Sequence, residues 1–314
     1  MKIIERAQIE EIRAGLDLVP LIEEAFRGYS AGRAIVPPVG ELLMDKGEVH
    51  IKYGAIRGDD YYIIKIASGF YGNAALGLPS SNGMMLVFRQ DSGEPAAVLL
   101  DEGHLTDVRT AIAGAIGAKA LARPDVERIG VLGTGVQARL QVQQLAPLFE
   151  TREVVAWGRD PERVAAYATD MAAAGFRVEA ADHPGAVAAV CGLIITTTPS
   201  TEPLLQAADI RPGTHITAIG SDTTEKQELA ADVLALADVV VADSLEQCHT
   251  RGEIAQAVAA GAIAEDKAIE LGVLLAGEAV GRTSAEQITV FDSTGVAVQD
   301  IAIATAIVEG AQRD

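Results

Sequence analysis

The segment Ile129–Ala138 limits the possible folds more than any other part of the chain. Its sequence is IGVLGTGVQA, an apolar run followed by the pattern Gly-x-Gly-x-x-Ala at Gly133, Gly135 and Ala138. A helical pattern follows, and a second apolar run at residues 153–157 completes the βαβ unit that this motif requires. Gly133 permits a tight turn, Gly135 lets the backbone approach a pyrophosphate, and Ala138 allows close packing of helix and sheet. We therefore predict a dinucleotide site, with a purely structural glycine turn as the alternative.

The end of the second strand indicates which dinucleotide is bound. A site for NAD usually has Asp or Glu there, whereas here Trp157 is followed by Gly158, Arg159 and Asp160. Because Arg159 can accept a 2′-phosphate, the pattern favours NADP(H) over NAD(H). In the alternative, Arg159 only caps a surface turn and Asp160 binds the ribose. The predicted cofactor-binding residues of this region are Gly133, Gly135, Val136, Gln137, Ala138, Arg159 and Thr197.

Strand and helix patterns divide the chain into two predicted domains. From residue 121 to residue 289, apolar strands alternate with helical stretches, which predicts a doubly wound parallel sheet of the Rossmann type. Residues 1–120 instead predict a helix up to about residue 30, several strands that pair in an antiparallel sheet, and a helix at Leu105–Leu121. Residues 290–314 end in a further helix and are assigned to the same domain. The predicted fold class is therefore α/β, with a Rossmann domain and an α+β domain.

The charge and composition exclude several classes of protein. Lys and Arg number 25 and Asp and Glu 44, so the net charge is −19, and such a surface repels nucleic acid and anionic membranes. Two cysteines are too few for a disulfide framework or a zinc cluster, and the five histidines are scattered, so we predict no metal site. The first residues turn polar at once, and no apolar run reaches the roughly 20 residues that span a bilayer. We therefore expect a cytoplasmic protein without a signal peptide.

Four motifs, in this order, resemble those of the ornithine cyclodeaminase/mu-crystallin family. They are LTDVRTA at residues 105–111, GTGVQA at 133–138, GSDTTEKQEL at 220–229 and FDSTGVAVQD at 291–300. The resemblance covers essentially the whole chain and implies hydride exchange at the α-carbon of an amino acid through an imine. It also implies a homodimer, in which the α+β domain binds the substrate and forms the dimer contacts. The sequence KQEL at residues 226–229 is more similar to the reductase and alanine dehydrogenase branch of the family than to ornithine cyclodeaminase.

Three cationic residues are candidates for binding the substrate carboxylate. Arg109 matches an Arg of the family whose guanidinium fork suits a carboxylate, and the adjacent Thr110 is implied to contact the cofactor. Lys65 interrupts the apolar strand Tyr61–Ala67 and matches a substrate-binding Lys of the family, to which we also assign a catalytic role. The alternative for Lys65 is a side chain that points to solvent. Cyclodeaminases carry a second Arg for the carboxylate shortly after a Pro, but the corresponding segment here, PPVGE at residues 37–41, has none. Lys52 is the candidate substitute, and a different mode of holding the substrate is the alternative.

Asp222 is the candidate for proton transfer. It follows the apolar strand 214–219, so it lies at the carboxyl end of a parallel strand, where open sheets bind ligands. A carboxylate there can take a proton from the substrate amine and stabilise the iminium, although a helix N-cap is the alternative. Cyclodeaminases have a catalytic Asp at this point and the crystallin does not. We predict that Lys226 and Glu228 form a local ion pair that holds the loop.

These features favour an NAD(P)-dependent imine reductase or amino-acid dehydrogenase that acts on a small amino or imino acid. Ornithine cyclodeaminase, which converts ornithine to proline and ammonia and uses NAD catalytically, is the alternative within the family. The two differ in net turnover of the cofactor, because the lyase shows none. A cofactor-containing binding protein like the crystallin is the third reading, and the presence of Asp222 disfavours it.

Overall fold

The computed structural model of the protein describes residues 1–313. These residues form two compact units. Unit 1 consists of Met1–Arg109 and the residues from Val296 onward, and unit 2 is Thr110–Gly295. Residue 314, which the predicted C-terminal segment includes, lies outside the described residues. The predicted fold class is confirmed, because unit 2 has a parallel sheet and unit 1 a separate sheet that is mostly antiparallel.

Unit 1 is built on a seven-stranded sheet. Its strands are β1 (Lys2–Glu5), β2 (Ala34–Ile35), β3 (Gly40–Met44), β4 (Gly47–Ile56), β5 (Tyr61–Gly69), β6 (Ser81–Arg89) and β7 (Pro95–Leu100). The order is β1-β7-β6-β5-β4-β2, and β3 pairs with β4. Neighbouring strands are antiparallel except for β1, which runs parallel to β7. Every second residue of β5 from Tyr61 to Lys65 is buried, so one face of this strand belongs to the core.

The single N-terminal helix that the sequence predicts is wrong. The chain instead begins with β1 and continues with the helices α1 (Arg6–Ala14) and α2 (Val19–Ser30). Gly15 caps the end of α1, and Pro20 lies in the first turn of α2, where its missing N–H costs no hydrogen bond. The four residues of β1 are stabilised by pairing with β7, a contact that local periodicity does not contain. The next helix, α3 (His104–Leu121), lies where the sequence predicts it.

Unit 2 is built on an eight-stranded parallel sheet. Its strands are β8 (Ile129–Leu132), β9 (Glu153–Trp157), β10 (Arg177–Ala180), β11 (Leu193–Thr196), β12 (His215–Ala218), β13 (Val239–Ala242), β14 (Ala268–Glu270) and β15 (Thr289–Asp292). The order is β10-β9-β8-β11-β12-β15-β13-β14. Strand β8 has β9 as its neighbour on one side and β11 on the other, so the order of the strands reverses at β8. In doubly wound sheets, ligands bind beyond the carboxyl ends of the strands at such a reversal. All residues of β8, β11, β12 and β15 are buried, as expected for a sheet covered on both faces.

Helices connect most of the strands of unit 2. They are α4 (Val136–Leu145), α5 (Pro161–Ala173), α6 (Pro184–Ala188), α7 (Ala231–Leu236), α8 (Leu245–Cys248), α9 (Gly252–Ala259) and α10 (Leu271–Leu275). Short 3-10 helices lie at Tyr71–Leu76, Ala207–Asp209 and Glu265–Lys267. The predicted domain boundary at residue 290 falls inside β15, which pairs with β12 and β13 in the parallel sheet. The chain then enters α11 (Ala297–Arg313), which packs on β4 and β5 of unit 1.

A search for membrane-spanning helices within residues 1–313 finds none that is both long and apolar enough.

Candidate functional site

The glycine loop (residues 132–136) joins β8 to α4. Gly133 has a φ of +115°, and a Cβ added to it would lie 2.6 Å from Oγ1 of Thr197, so the position requires glycine. The N–H of Gly133 donates to the carbonyl of Trp157 (2.8 Å), which joins the loop to the end of β9. The N–H of Thr197, which follows β11, donates to the carbonyl of Leu132 (2.9 Å). The structure thus brings together Gly133 and Thr197, two of the predicted cofactor-binding residues.

The N-terminus of α4 has features that fit a bound pyrophosphate. Gly135 is the N-cap and provides no side-chain acceptor for the N–H groups of the first turn. A Cβ on Gly135 would meet no atom within 4 Å, so the space beside it is open. Val136 and Gln137 form the first turn, in which Val136 is 54% exposed, whereas Ala138 is fully buried against the sheet. These residues fit a dinucleotide, because N–H groups without a side-chain cap at a helix N-terminus bind phosphate.

Two side chains, those of Arg139 and Gln141, make contacts in this region that the sequence did not predict. Arg139 donates from Nη1 to the carbonyl of Gly135 (3.0 Å) and forms an ion pair with Asp170 (2.6 Å). Nε2 of Gln141 donates to the carbonyl of Thr110 (3.1 Å), so Thr110 on α3 is attached to the helix that begins at the glycine loop. The spacing of four between Gly135 and Arg139 on a predicted helix was the available signal for the first contact.

Arg159 and Asp160 follow β9, as the sequence predicts, and have different surroundings. The carboxylate of Asp160 caps α5 by accepting from the N–H of Glu162 (2.9 Å), and it also lies 3.6 Å from the guanidinium of Arg163. This use as an N-cap accounts for Asp160 without a ribose. Arg159 is exposed and forms no hydrogen bond or ion pair with the part of the chain that the structure describes. Its guanidinium is thus available to an anion.

Unit 1 contains a buried group that we call the cationic cluster, namely Lys52, Lys65, Arg109 and Asp300. Lys52 on β4 and Lys65 on β5 are direct cross-strand partners, and Lys65 is only 2% exposed. Asp300, on α11, lies between cations: its Oδ2 is 3.0 Å from Nζ of Lys65, and its Oδ1 is 2.9 Å from Nε of Arg109. Arg109 also donates from Nη1 to Oε1 of Gln299 (2.9 Å). The structure therefore brings together the three predicted carboxylate-binding residues.

The electrostatics of the cationic cluster are dominated by burial and by positive charge. Burial, then the charge of Arg109 and to a smaller extent that of Lys52, lower the pKa of Lys65 to about 7, although Asp300 opposes them. Burial would raise the pKa of Asp300, but the charges of Arg109, Lys65 and Lys52 together hold it below its ordinary value. Three cations thus act on one carboxylate. The alternative in which Lys65 points to solvent is wrong, and Arg109 is buried as well.

Asp300 and Gln299 are the residues of this cluster that the sequence reasoning missed. Both belong to the motif at residues 291–300, which served only to establish the resemblance. An acidic residue in the first turn of a long apolar helix was the available signal, because such a side chain is rarely buried without a partner.

Asp222 follows β12 by four residues in a loop that contains no helix, so the alternative of a helix N-cap is wrong. Its side chain is 39% exposed and forms an ion pair with Nζ of Lys226 at 2.7 Å. The predicted ion pair between Lys226 and Glu228 is therefore also wrong. Glu228 is buried instead and accepts hydrogen bonds from the N–H groups of Thr198 and Gly220. The reason is that these residues are not on a helix, so sequence spacing alone does not determine which side chains meet.

Comparison with known proteins agrees with the motifs. The model of the ornithine cyclodeaminase/mu-crystallin family matches residues 1–314. An uncharacterized cyclodeaminase of Sinorhizobium fredii is 41% identical over 99% of this chain and 96% of its own. A solved archaeal alanine dehydrogenase dimer with bound NAD has a TM-score of 0.91 at 33% identity, covering 100% of this chain and 96% of that one. The Δ1-pyrroline-2-carboxylate reductase of Thermococcus litoralis, solved with NADH and L-proline, has a TM-score of 0.93 at 26% identity over 100% and 98%. The chain therefore belongs to the ornithine cyclodeaminase/mu-crystallin family.

Proposed function

We propose that the protein is an NAD(P)-dependent imine reductase or amino-acid dehydrogenase that acts at the α-carbon of a small amino or imino acid. The observation that carries this proposal is the cationic cluster, in which three buried cations act on a single carboxylate. Positive charge gathered at one buried place attracts an anionic group such as a substrate α-carboxylate, and the guanidinium fork of Arg109 suits the two oxygens of a carboxylate. One similar protein was solved with L-proline, which carries such a group.

Each polar residue has a distinct role in this proposal. The guanidinium fork of Arg109 binds the substrate carboxylate, and Lys52 adds positive charge beside it. Lys65 holds the carboxylate too, and with a pKa of about 7 it can release a proton near neutral pH. Asp222, oriented by Lys226, takes the proton of the substrate nitrogen. The nicotinamide ring, when bound, supplies or accepts the hydride.

The cofactor is a nicotinamide dinucleotide, and we propose a preference for NADP(H). The glycine loop supports either dinucleotide, and the two solved relatives described above hold NAD or NADH. The support for NADP(H) comes from Arg159, which is exposed after β9 where NAD sites usually have an acidic residue. We assign Asp160 to the N-cap of α5 rather than to the ribose, since its Oδ1 accepts from the N–H of Glu162.

A cyclodeaminase is the second candidate, and the relative from Sinorhizobium fredii supports it. The experiment that separates the candidates uses purified protein, NAD(H) or NADP(H), and a panel of amino acids and of 2-oxo acids with ammonia. A net change in nicotinamide absorbance supports the reductase or dehydrogenase. Ammonia released from ornithine without net cofactor change supports the cyclodeaminase. Cofactor binding without any turnover contradicts both and supports a binding protein.

Asp222→Asn tests the role of the carboxylate in this reaction. Acid–base groups typically contribute about 10²–10⁴-fold, so we expect kcat and kcat/KM to fall together by that factor. The substitution is nearly isosteric, so the cofactor should still bind. Glu225→Gln, an exposed residue of the same loop, is the matched control and should retain wild-type turnover. If Asp222→Asn stays within a few-fold of wild type, Asp222 has no part in the chemistry.

We also propose that the protein is a homodimer whose contacts come from unit 1, and that it is cytoplasmic. Strand β3 exposes Leu42, Leu43 and Met44 in succession, with Leu43 70% exposed. Consecutive apolar residues on an exposed strand are typical of an interface, and one similar structure is a dimer. The two cysteines, Cys191 and Cys248, are both free and buried, which fits a reducing compartment.

A further inference from the structure

Glu228 connects two loops of unit 2 through its carboxylate. The side chain is fully buried, and Oε1 accepts from the N–H of Thr198 (2.5 Å) while Oε2 accepts from the N–H of Gly220 (2.9 Å). Thr198 follows β11 and Gly220 follows β12, and these strands are neighbours in the sheet. A single carboxylate therefore joins the carboxyl ends of two strands, and it uses both of its oxygens to do so.

Both loops carry a residue of the candidate site. Thr197 directly precedes Thr198 and donates to Leu132 in the glycine loop, and Asp222 lies two residues after Gly220. The loops are in close contact, since a Cβ on Gly220 would lie 2.2 Å from the carbonyl oxygen of Thr198. A change in the hydrogen bonds of the Glu228 carboxylate therefore affects both the loop that carries Thr197, a predicted cofactor-binding residue, and the loop that carries Asp222, the candidate for proton transfer.

The titratable groups that face Glu228 are acidic. Its N–H donates to Oε1 of Glu253 on α9 (2.8 Å), and burial raises the pKa of Glu253 well above its ordinary value, as do the charges of Asp292 and Glu228. Burial likewise raises the pKa of Asp292, at the end of β15. The nearest cation along the chain, Lys226, pairs with Asp222 instead. The carboxylate of Glu228 is thus stabilised by the hydroxyl groups of Thr196 and Thr198 and by the backbone N–H groups of Thr198 and Gly220.

The charge of Glu228 changes in the neutral range. Burial raises its pKa to about 7, against the effect of the hydrogen bonds from the side chain of Thr196, from Thr198 and from Gly220. The carboxylate has two good acceptor oxygens, whereas the protonated group uses one oxygen as a donor. Proton uptake therefore weakens one of the two bonds to the loops.

We propose that Glu228 is a positioning residue that sets the spacing between the Thr197 and Asp222 loops and relaxes that spacing when it takes up a proton. The catalytic consequence rests on the proposed function, but the effect on the loops does not. Loss of one of the two hydrogen bonds from the loops to Glu228 should lower kcat and weaken dinucleotide binding, although the Asp222 carboxylate is still present. Glu228 does not touch the substrate in this proposal, so the measurements must detect geometry as well as rate.

Amide hydrogen exchange of the cofactor-free protein tests the proposal, because it needs neither cofactor nor substrate. Glu228→Gln keeps the size of the side chain but offers one acceptor oxygen. We expect the protection of Thr198 or Gly220 to fall about 10-fold, the equivalent of one lost hydrogen bond. In the wild type, protection of these two amides, corrected for intrinsic rates, should fall as the pH is lowered through about 7. In Glu228→Gln this step should be absent.

Glu225→Gln, in the same loop but exposed, is the control and should keep both the wild-type protection and the pH step. If the amides of Thr198 and Gly220 exchange in Glu228→Gln at the same rates as in the wild type, the proposal is overturned. If that variant fails to fold, the wild type alone tests the proposal. Constant protection of the Thr198 and Gly220 amides from pH 6 to pH 8 would refute the proposal. Dinucleotide titration of the same proteins, followed by the fluorescence of the single tryptophan, Trp157, tests the proposed function separately. If no dinucleotide binds but the pH-dependent change in amide protection is present, the proposed function is contradicted and the proposed role of Glu228 is not.

Discussion

Replacement of Lys65 by Met should remove a specific pH dependence of stability. The amine is fully buried, and burial together with Arg109 lowers its pKa from 10.5 to about 7. Between these two values the unfolded chain holds the proton and the folded protein does not. The free energy of unfolding therefore rises with pH across this window; it declines as the pH is lowered from about 10.5, and the decline ends below about 7. The Met side chain has similar length and cannot titrate, and Asp300 keeps its ion pair with Arg109.

The size of the effect follows from the two pKa values. Each pH unit in which only the unfolded state holds the proton contributes about 1.4 kcal/mol. Lys65 is still half-protonated in the fold at pH 7, so integration from there to pH 9 gives about 2 kcal/mol. This is a substantial share of the roughly 5–15 kcal/mol that stabilises typical proteins.

Urea unfolding at pH 7, 8 and 9 and constant ionic strength measures this difference. We expect wild type to gain about 2 kcal/mol relative to Lys65→Met across the series. Lys46→Met removes an exposed lysine from the turn between β3 and β4 and should follow wild type. Parallel curves for wild type and Lys65→Met would mean that Lys65 stays charged in the fold, and the electrostatic account of the cationic cluster would be wrong.

Two further predictions concern cofactor choice and assembly. Arg159→Asp should shift the ratio of kcat/KM for NADP(H) and NAD(H) toward NAD(H) by about 10-fold or more, because a carboxylate repels the 2′-phosphate and accepts from the 2′-hydroxyl. A wild type that already prefers NAD(H) strongly would contradict the role of Arg159. If the proposed dimer forms through β3, Leu43→Lys should give a monomer in sedimentation velocity, because the substitution places a charge in the proposed apolar contact. A variant that sediments as wild type does would exclude β3 from the interface.

The sequence was sufficient to predict the parts of the site that depend on local patterns. The glycine loop is defined by one continuous segment, Ile129–Ala138, whose strand, turn and helix all have sequence signals. Lys65 was identifiable because a cation inside an apolar strand needs a partner. The partner itself was not predictable, since Asp300 lies 191 positions after Arg109 and the pairing exists only after α11 packs on the sheet.

The errors in the sequence predictions have a common physical cause. Strand β1 forms through its ladder with β7, and Glu228 is directed by the ends of β11 and β12, so both depend on residues distant in the chain. The predicted ion pair of Lys226 and Glu228 assumed that residues two apart meet, which no regular structure provides in this loop. Local propensity therefore determined where most elements lie, whereas long-range contacts determined strand β1 and which polar groups meet.

Each unit contains its own cluster of buried charged side chains, cationic residues around Asp300 in unit 1 and a group of acids in unit 2. In unit 1, three cations act on Asp300, an arrangement that selects for an anionic ligand. In unit 2, Asp243, Glu228, Glu253 and Asp292 are buried and take their hydrogen bonds from backbone N–H and hydroxyl groups. Burial raises the pKa of Glu228, Glu253 and Asp292 above the ordinary range of a carboxyl group. Substitutions in the cationic cluster should therefore change KM for an anionic substrate, whereas substitutions among the buried acids should change the pH profile.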